Sequence, residues 1–192
     1  VWIGQDRLPG VIGAKPIHLT TNDERKRAIP LDSLRIDGGP GNGYKVKVGD
    51  RATFATRFKR LGGSLCGKAL DDRLGVATLI ELVKHAPAQL DLLAAFTVQE
   101  EVGLRGARVA AYSFNPDLAI AIDATPALDL PSWETEELPG GTRYNTRLDH
   151  GPAIYTADAA TLSDPRLVSF LVQIAEAAKI PYQLRQPGGG GT

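Results

Sequence analysis

Two apolar runs, each followed closely by acidic residues, constrain the fold of this chain more than any other feature. The first covers residues 92–98 and precedes Glu100 and Glu101, and the second covers residues 118–122 and ends at Asp123. Runs that are apolar throughout, without alternation, are typical of strands buried on both faces of a parallel sheet. We therefore predict an α/β fold in which both runs are buried strands.

Helical patterns lie around these runs. Residues 72–84 repeat apolar side chains at helical spacing and stop before Pro87, and residues 103–112 are predicted as a second helix. The later predicted elements are, in chain order, a loop over 131–151, a strand over 153–155, a helix that opens at Ser163-Asp164-Pro165 and a strand over 182–185. This alternation indicates a mostly parallel sheet with helices on its faces.

The first sixty residues have a different texture, with many Gly and Pro turn signals between short alternating runs. Residues 44–48 and 52–58 alternate around Gly49-Asp50, which predicts a β-hairpin. We predict two domains: a small β-rich, barrel-like unit over residues 1–62 and an α/β domain over residues 63–192.

Composition excludes several function classes. Residues 1–62 carry 12 Lys and Arg against 6 Asp and Glu, but these cations are not interleaved with the aromatic side chains that stack bases, so nucleic acid is not expected as a partner. No apolar run is long enough to cross a bilayer, and Cys66 is the only cysteine. We expect a soluble, cytoplasmic protein with a sizeable core and no membrane partner.

Acidic residues follow both apolar runs and precede the first predicted helix, where Asp71 and Asp72 stand together. In open α/β sheets, ligands bind at the carboxyl edge of the strands. Taken singly, either aspartate could cap the helix, and Glu100, Glu101 and Asp123 could lie in solvated turns. Together they favour a site for divalent cations, in which two ions share a bridging carboxylate.

Four motifs in this order resemble the dinuclear metalloaminopeptidases that form tetrahedral (TET) dodecamers, some of which are described as glutamyl or deblocking aminopeptidases and some as endoglucanases. The motifs are Gly67-Lys68-Ala69-Leu70-Asp71-Asp72-Arg73-Leu74-Gly75, Val98-Gln99-Glu100-Glu101-Val102-Gly103-Leu104-Arg105-Gly106-Ala107, Ile122-Asp123-Ala124-Thr125-Pro126 and Gly151-Pro152-Ala153-Ile154. Residues 10–16 resemble the inserted β-domain of that family, and residues 187–192 its glycine-rich turn. The likeness covers nearly the whole chain.

The resemblance implies a three-layer α/β/α, phosphorylase/hydrolase-like catalytic domain with a small inserted β-barrel. It implies Asp71 as the carboxylate that bridges two ions, Zn²⁺ or Co²⁺, with Glu101 a ligand of one ion and Asp123 of the other. Glu100 would be the general base in attack of a metal-bound hydroxide on the first peptide bond of a peptide. Asp72 matches a position that the family fills with Asp or Asn. A homo-oligomer, a dodecamer in the family, is also implied.

The sequence departs from the family in its histidines. The resemblance implies two histidine ligands, one before the β-domain and one after the glycine-rich turn, and neither position exists in these 192 residues. We expect His18, His85 and His150 to be structural or surface residues. Weak metal binding and little activity are therefore expected from this chain by itself.

Two other functions remain open on sequence alone. Paired carboxylates also serve glycoside hydrolases, although adjacent glutamates at a strand end should diverge, and the chain has only two tryptophans for sugar platforms. A non-catalytic assembly module, in which the basic β-unit makes subunit contacts, is the third reading.

Overall fold

The computed structural model describes residues 1–127, 129 and 146–185. The chain divides into two compact units, Val1–Lys68 and Ala69–Thr192. The predicted domain boundary after residue 62 stays a prediction. Most of the predicted loop over 131–151 and the glycine-rich turn over 187–192 lie outside the described residues.

The first unit is built from short antiparallel strand pairs and helical turns. Its elements in chain order are β1 (Trp2–Ile3), β2 (Leu8–Pro9), β3 (Val11–Gly13), α1 (Asn22–Arg25), β4 (Arg35–Asp37), β5 (Ala52–Thr53), β6 (Lys59–Leu61) and β7 (Ser64–Cys66). Strand β1 lies between β2 and β5, and the other pairs are β3 with β4 and β6 with β7. All of these strand pairs are antiparallel and two or three residues long.

The predicted hairpin over residues 44–58 is wrong. Gly43–Lys45 forms a 3₁₀ turn, and Ala52–Thr53 pairs with Trp2–Ile3 instead of with residues 44–48. Asp50 closes its own turn, since its Oδ2 accepts from the Lys47 amide at 2.8 Å and its amide donates to the Lys47 carbonyl at 3.0 Å. The predicted turn at Gly49-Asp50 is therefore present, but the segments before and after it do not pair with each other.

The second unit is mixed α/β. Its elements are α2 (Leu70–Lys84), α3 (Arg105–Phe114), β8 (Ala153–Tyr155), α4 (Pro165–Ala178) and β9 (Gln183–Arg185). These confirm the three predicted helices and the two predicted late strands. Strands β8 and β9 are parallel and α4 packs against β8, which is the arrangement expected of a βαβ unit. The three-layer domain and the inserted barrel stay predictions.

Contacts between distant residues hold β9 in place. The Gln183 side chain accepts from the Arg147 amide at 2.9 Å and donates to the carbonyls of Arg147 and Gly151 at 3.0 and 2.9 Å. Gly151 has φ +79°, and a Cβ there would overlap the Pro181 carbonyl. Glycine is therefore required at residue 151 for both conformation and space.

The two predicted buried strands are wrong for the part of the chain that the structure describes. Neither residues 92–98 nor residues 118–122 pair in a β-ladder there, and Phe96 and Ile120 are 54% and 57% exposed. A strand needs a neighbour for its amides and carbonyls and a covering layer for its side chains. The expected sizeable core is also missing, since Ile3 and Ala175 are the buried apolar residues among those described.

Candidate active site

Asp71 and Asp72 lie at the irregular start of α2. Their backbone angles are not helical, the peptide bond between them is cis, and Ala69 before them has φ +55°. The Asp72 Oδ1 accepts a hydrogen bond from the Gly75 amide at 2.8 Å, so Asp72 caps the regular part of the helix. The carboxylate of Asp71, which is exposed, accepts no hydrogen bond from any described residue. The structure thus gives the two aspartates different surroundings.

Glu100 and Glu101 lie in a tight loop immediately before α3. The Glu100 carbonyl accepts from the amides of Gly103 and Leu104 at 3.0 and 2.9 Å, which closes the loop through its backbone. Gln99 has φ +59°, an uncommon conformation for a residue with a side chain. Both glutamate side chains are exposed and make no hydrogen bond within the described part of the chain.

Asp123 follows the second apolar run and is partly buried. Burial raises the pKa of its carboxyl above the ordinary value, and the negative charges of Asp71, Asp72 and Glu100 raise it further, while the Ala124 amide that donates to Oδ1 at 2.7 Å opposes the shift. These three acids therefore lie close enough to Asp123 to repel it. Sequence separation would not have shown this, because the four residues span more than fifty positions.

The negative charges of Asp71, Asp72 and Glu100 reach Asp123, so the structure brings four of the five predicted acids into electrostatic range. Within residues 1–127, 129 and 146–185, no three side chains of His, Cys, Asp or Glu are close enough together to ligate one ion. Repulsion acts over a longer range than ligation, so both observations hold. The chemistry of the donor set fits a divalent cation, because carboxylate oxygens suit such ions and a cation would relieve the repulsion at Asp123.

The histidines lie in other surroundings. His18 is exposed in a 3₁₀ turn of the first unit, and His85 ends α2 with its Nδ1 at 2.9 Å from the Glu81 carbonyl. The His150 Nδ1 is 2.7 Å from the Leu148 carbonyl.

Sequence reasoning missed Gly106, the second residue of α3, whose backbone lies against Val98 at the other end of the acidic loop. A glycine inside a predicted helix is a signal of such close approach. It also missed Arg185, which is only 6% exposed and lies over the Tyr155 ring at 4.2 Å from the ring centre. An arginine at the end of an otherwise ordinary strand pattern carries no comparable signal.

Comparison with known proteins decides the family. The family model described as M42 glutamyl aminopeptidase matches residues 1–192. The chain belongs to this family. A putative aminopeptidase of Acetivibrio thermocellus is 34% identical over 188 residues, which cover 95% of this chain and 54% of that protein. The chain thus spans about half the length of the curated relatives that it matches.

Solved structures of related proteins agree with the M42 assignment. An aminopeptidase from the archaeon Desulfurococcus kamchatkensis has a TM-score of 0.75 at 37% identity, covering 95% of this chain and 51% of that one. The TET1 peptidase of Pyrococcus horikoshii, which can assemble into a tetrahedron or a large octahedral shell, has a TM-score of 0.70 at 33% identity, covering 98% and 57%. The resemblance drawn from the four motifs is confirmed, and the M42 chain shares the mixed α/β fold of the TET aminopeptidases.

Among the residues that the structure describes, no helix is both long enough and apolar enough to pass through a bilayer.

Proposed function

We propose that this chain carries the acidic part of the active site of a metal-dependent aminopeptidase, which removes the N-terminal residue from peptides. The observation that carries the proposal is the convergence of Asp71, Asp72 and Glu100 on Asp123, whose pKa is raised by burial and by their charges. Family membership supports peptide hydrolysis as the reaction that uses these acids. A carboxyl whose pKa is perturbed by burial and by neighbouring charges is typical of functional sites.

The side chains divide the work as follows. Asp71, which is exposed and without a hydrogen bond among the described residues, would hold both ions, with Glu101 binding one and Asp123 the other. Two divalent ions, Zn²⁺ or Co²⁺, would supply the Lewis acidity that polarises the peptide carbonyl. The carboxylate of Glu100 takes a proton from the attacking water and delivers it to the nitrogen of the leaving amine. Asp72 remains the helix cap and serves the site by positioning Asp71.

The fold, assembly and location of the whole protein follow from the same proposal. In a three-layer catalytic domain with an inserted barrel, residues 92–98 and 118–122 would pair with neighbouring strands. The other layers would cover their apolar side chains. The assembly of a Pyrococcus horikoshii relative into a tetrahedron or an octahedral shell supports a homo-oligomer. We propose a cytoplasmic location, in which peptides are the substrates.

The test is a Glu100→Gln substitution in the protein that carries these 192 residues, assayed on aminoacyl anilides with bound metal measured in parallel. Loss of the general base should lower kcat by roughly 10²- to 10⁴-fold, while the metal content stays at the wild-type level. Glu81→Gln is the matched control, since Glu81 is an exposed glutamate of α2 that pairs with Lys84. A Glu100→Gln enzyme as active as wild type would show that Glu100 is not the general base. A wild-type protein with no hydrolysis in the presence of bound metal would indicate a non-catalytic assembly module.

Chelation separates peptidase from glycosidase. Removal of divalent ions with EDTA should abolish peptide hydrolysis, and added Zn²⁺ or Co²⁺ should restore it. Hydrolysis of a β-glucan that persists in EDTA would refute the peptidase proposal and support the glycoside hydrolase.

A further inference from the structure

Backbone hydrogen bonds join the two ends of the loop that contains Glu100 and Glu101. The Gly106 amide donates to the Val98 carbonyl at 3.0 Å, and the Arg105 amide donates to the Gln99 carbonyl at 3.2 Å. Neither glutamate side chain forms a hydrogen bond within the described residues that could hold it in place. The location of both carboxylates therefore depends on how the start of α3 lies against residues 97–99.

At Gly106, these two segments lie too close together to leave room for a side chain. A Cβ at this residue would lie 2.5 Å from the Val98 carbonyl oxygen, 2.6 Å from the Val98 nitrogen and 3.2 Å from the Thr97 Cβ. Two of these three atoms belong to the backbone, which cannot rotate away as a flexible side chain can. Any side chain at residue 106 must therefore move α3 and residues 97–98 apart.

Gly103, in the same loop, meets a different requirement. It has φ +111°, and no atom lies within 4 Å of its ideal Cβ position. Glycine is needed at residue 103 for backbone conformation, whereas at residue 106, which is helical, it is needed for space. The two requirements can be separated by substitution, because a Cβ at residue 106 meets the Val98 backbone and a Cβ at residue 103 meets no atom within 4 Å.

We propose that Gly106 is a positioning residue for Glu100 and Glu101. Its contact with the Val98 backbone fixes the location of the loop, and with it the location of the base and of the metal ligand. The proposal rests on the proposed function for the roles of the two glutamates. A shift of about 1 Å between α3 and Val98 would move both carboxylates together, and misplacements of that size can lower a rate by about 10²-fold. Proton transfer and metal affinity should therefore respond jointly to substitution at residue 106.

The test compares Gly106→Ala with Ala107→Gly in the protein that carries these residues, loaded with Zn²⁺. Ala107 is the next residue of α3 and is exposed, so its substitution weakens the helix without filling the space next to Val98. For Gly106→Ala we expect kcat to fall about tenfold or more with KM within about twofold of wild type, and Zn²⁺ affinity to fall about tenfold. Ala107→Gly should change each quantity by less than about twofold.

These outcomes distinguish the two proposals. A wild-type protein that neither hydrolyses aminoacyl anilides nor binds Zn²⁺ would end the proposed function. An active wild type together with a folded Gly106→Ala variant of unchanged kcat and Zn²⁺ affinity would refute the positioning role alone. Loss of kcat without loss of Zn²⁺ affinity would also contradict it, because both glutamates share the loop.

If Gly106→Ala does not give folded protein, hydrogen exchange on the wild type tests the proposal. The Gly106 amide bonds to Val98, and the Asn115 amide bonds to Ala111 at the opposite end of α3. Zn²⁺ binding at the loop should slow exchange at Gly106 by about tenfold relative to Asn115. An unchanged ratio would mean that the contact is not coupled to the metal ligands and would overturn the positioning role.

Discussion

The pKa values of two acidic residues at helix starts, Glu24 and Asp164, are shifted in the opposite direction from that of Asp123 at the candidate site. Asp164 caps α4 and bonds both the Arg166 guanidinium and its amide, which lowers the pKa of Asp164 to about 2. Glu24 in α1 bonds Lys15 and the Thr21 amide, which lowers its pKa to about 2. Asp123 instead has one amide donor and three like charges, and its pKa is raised.

This difference in pKa shifts shows that the carboxylates of the candidate site lack a positively charged partner within the described residues. At Glu24 and Asp164, the carboxylate has a cation and backbone N–H donors within the chain, so its charge is stabilised locally. At the candidate site, carboxylates are placed near one another with almost no donors among the described residues. A divalent cation is the partner that would restore the balance.

The largest expected effect on activity comes from substituting Asp71, with Asp72 substituted separately for comparison. Asp71→Asn should lower aminopeptidase activity by about 10²-fold or more, because an amide cannot hold two ions as a bridging carboxylate does. Asp72→Asn should leave activity near the wild-type level, because asparagine caps a helix about as well as aspartate. Steady-state assays with metal analysis of both variants would measure this. Equal losses would show that the two aspartates share the metal-binding role.

The next effect concerns the stability of the metal-free protein. Asp123→Asn removes a charge that is partly buried and repelled, so it should raise Tm in EDTA at neutral pH, and it should reduce the rise in Tm that Zn²⁺ causes. Asp117→Asn, at an exposed residue that precedes the same apolar run, is the control. A lower Tm for Asp123→Asn in EDTA would contradict the assignment of Asp123 as a destabilised carboxylate.

The pH dependence of the same group has a defined sign. Because the pKa of Asp123 is higher in the folded than in the unfolded chain, protonation of Asp123 favours the folded state. This contribution is complete below the ordinary pKa of 3.8 and is lost as pH rises through the raised value. Subtracting the Tm–pH curve of Asp123→Asn from that of the wild type, both in EDTA, should show this fall. A flat difference would count against it.

A smaller effect is expected from the helix cap at Asp72. Asp72→Ala removes the acceptor of the Gly75 amide and should cost about 1 kcal/mol of unfolding free energy, measured by urea denaturation. Asp72→Asn should recover most of that loss. If both variants were equally destabilised, the charge of Asp72 and not its capping bond would be the stabilising feature.

The smallest effect lies at α4. The pKa of Asp164 is lowered to about 2, so its stabilising contribution is present above the ordinary value of 3.8 and is lost as pH falls towards 2. Asp164→Ala should reduce the helical signal near neutral pH slightly and should flatten its decline in acid. Circular dichroism over this range would test it, with an unchanged acid transition as the contrary result.

Helices α2, α3 and α4 could be predicted from sequence because their signals are local. The spacing of apolar residues, Asp164 before Pro165 and the stop near Pro87 all act within a few residues of the elements that they define. The five acidic residues were likewise visible as residues that follow apolar runs or precede a helix. The strands were harder, since β5 pairs with β1 across about fifty residues and not with its sequence neighbour.

The sequence by itself therefore determined the helices, the late strand segments, the family and the acidic residues from which a site can be built. Only the tertiary structure decided that Asp72 caps α2 while Asp71 does not, that Asp71, Asp72 and Glu100 act on Asp123, and that Gly106 lies against Val98. The physical reason is range. Helix propensity and capping depend on neighbours in the chain, whereas burial, repulsion and close backbone contact depend on residues that only folding brings together.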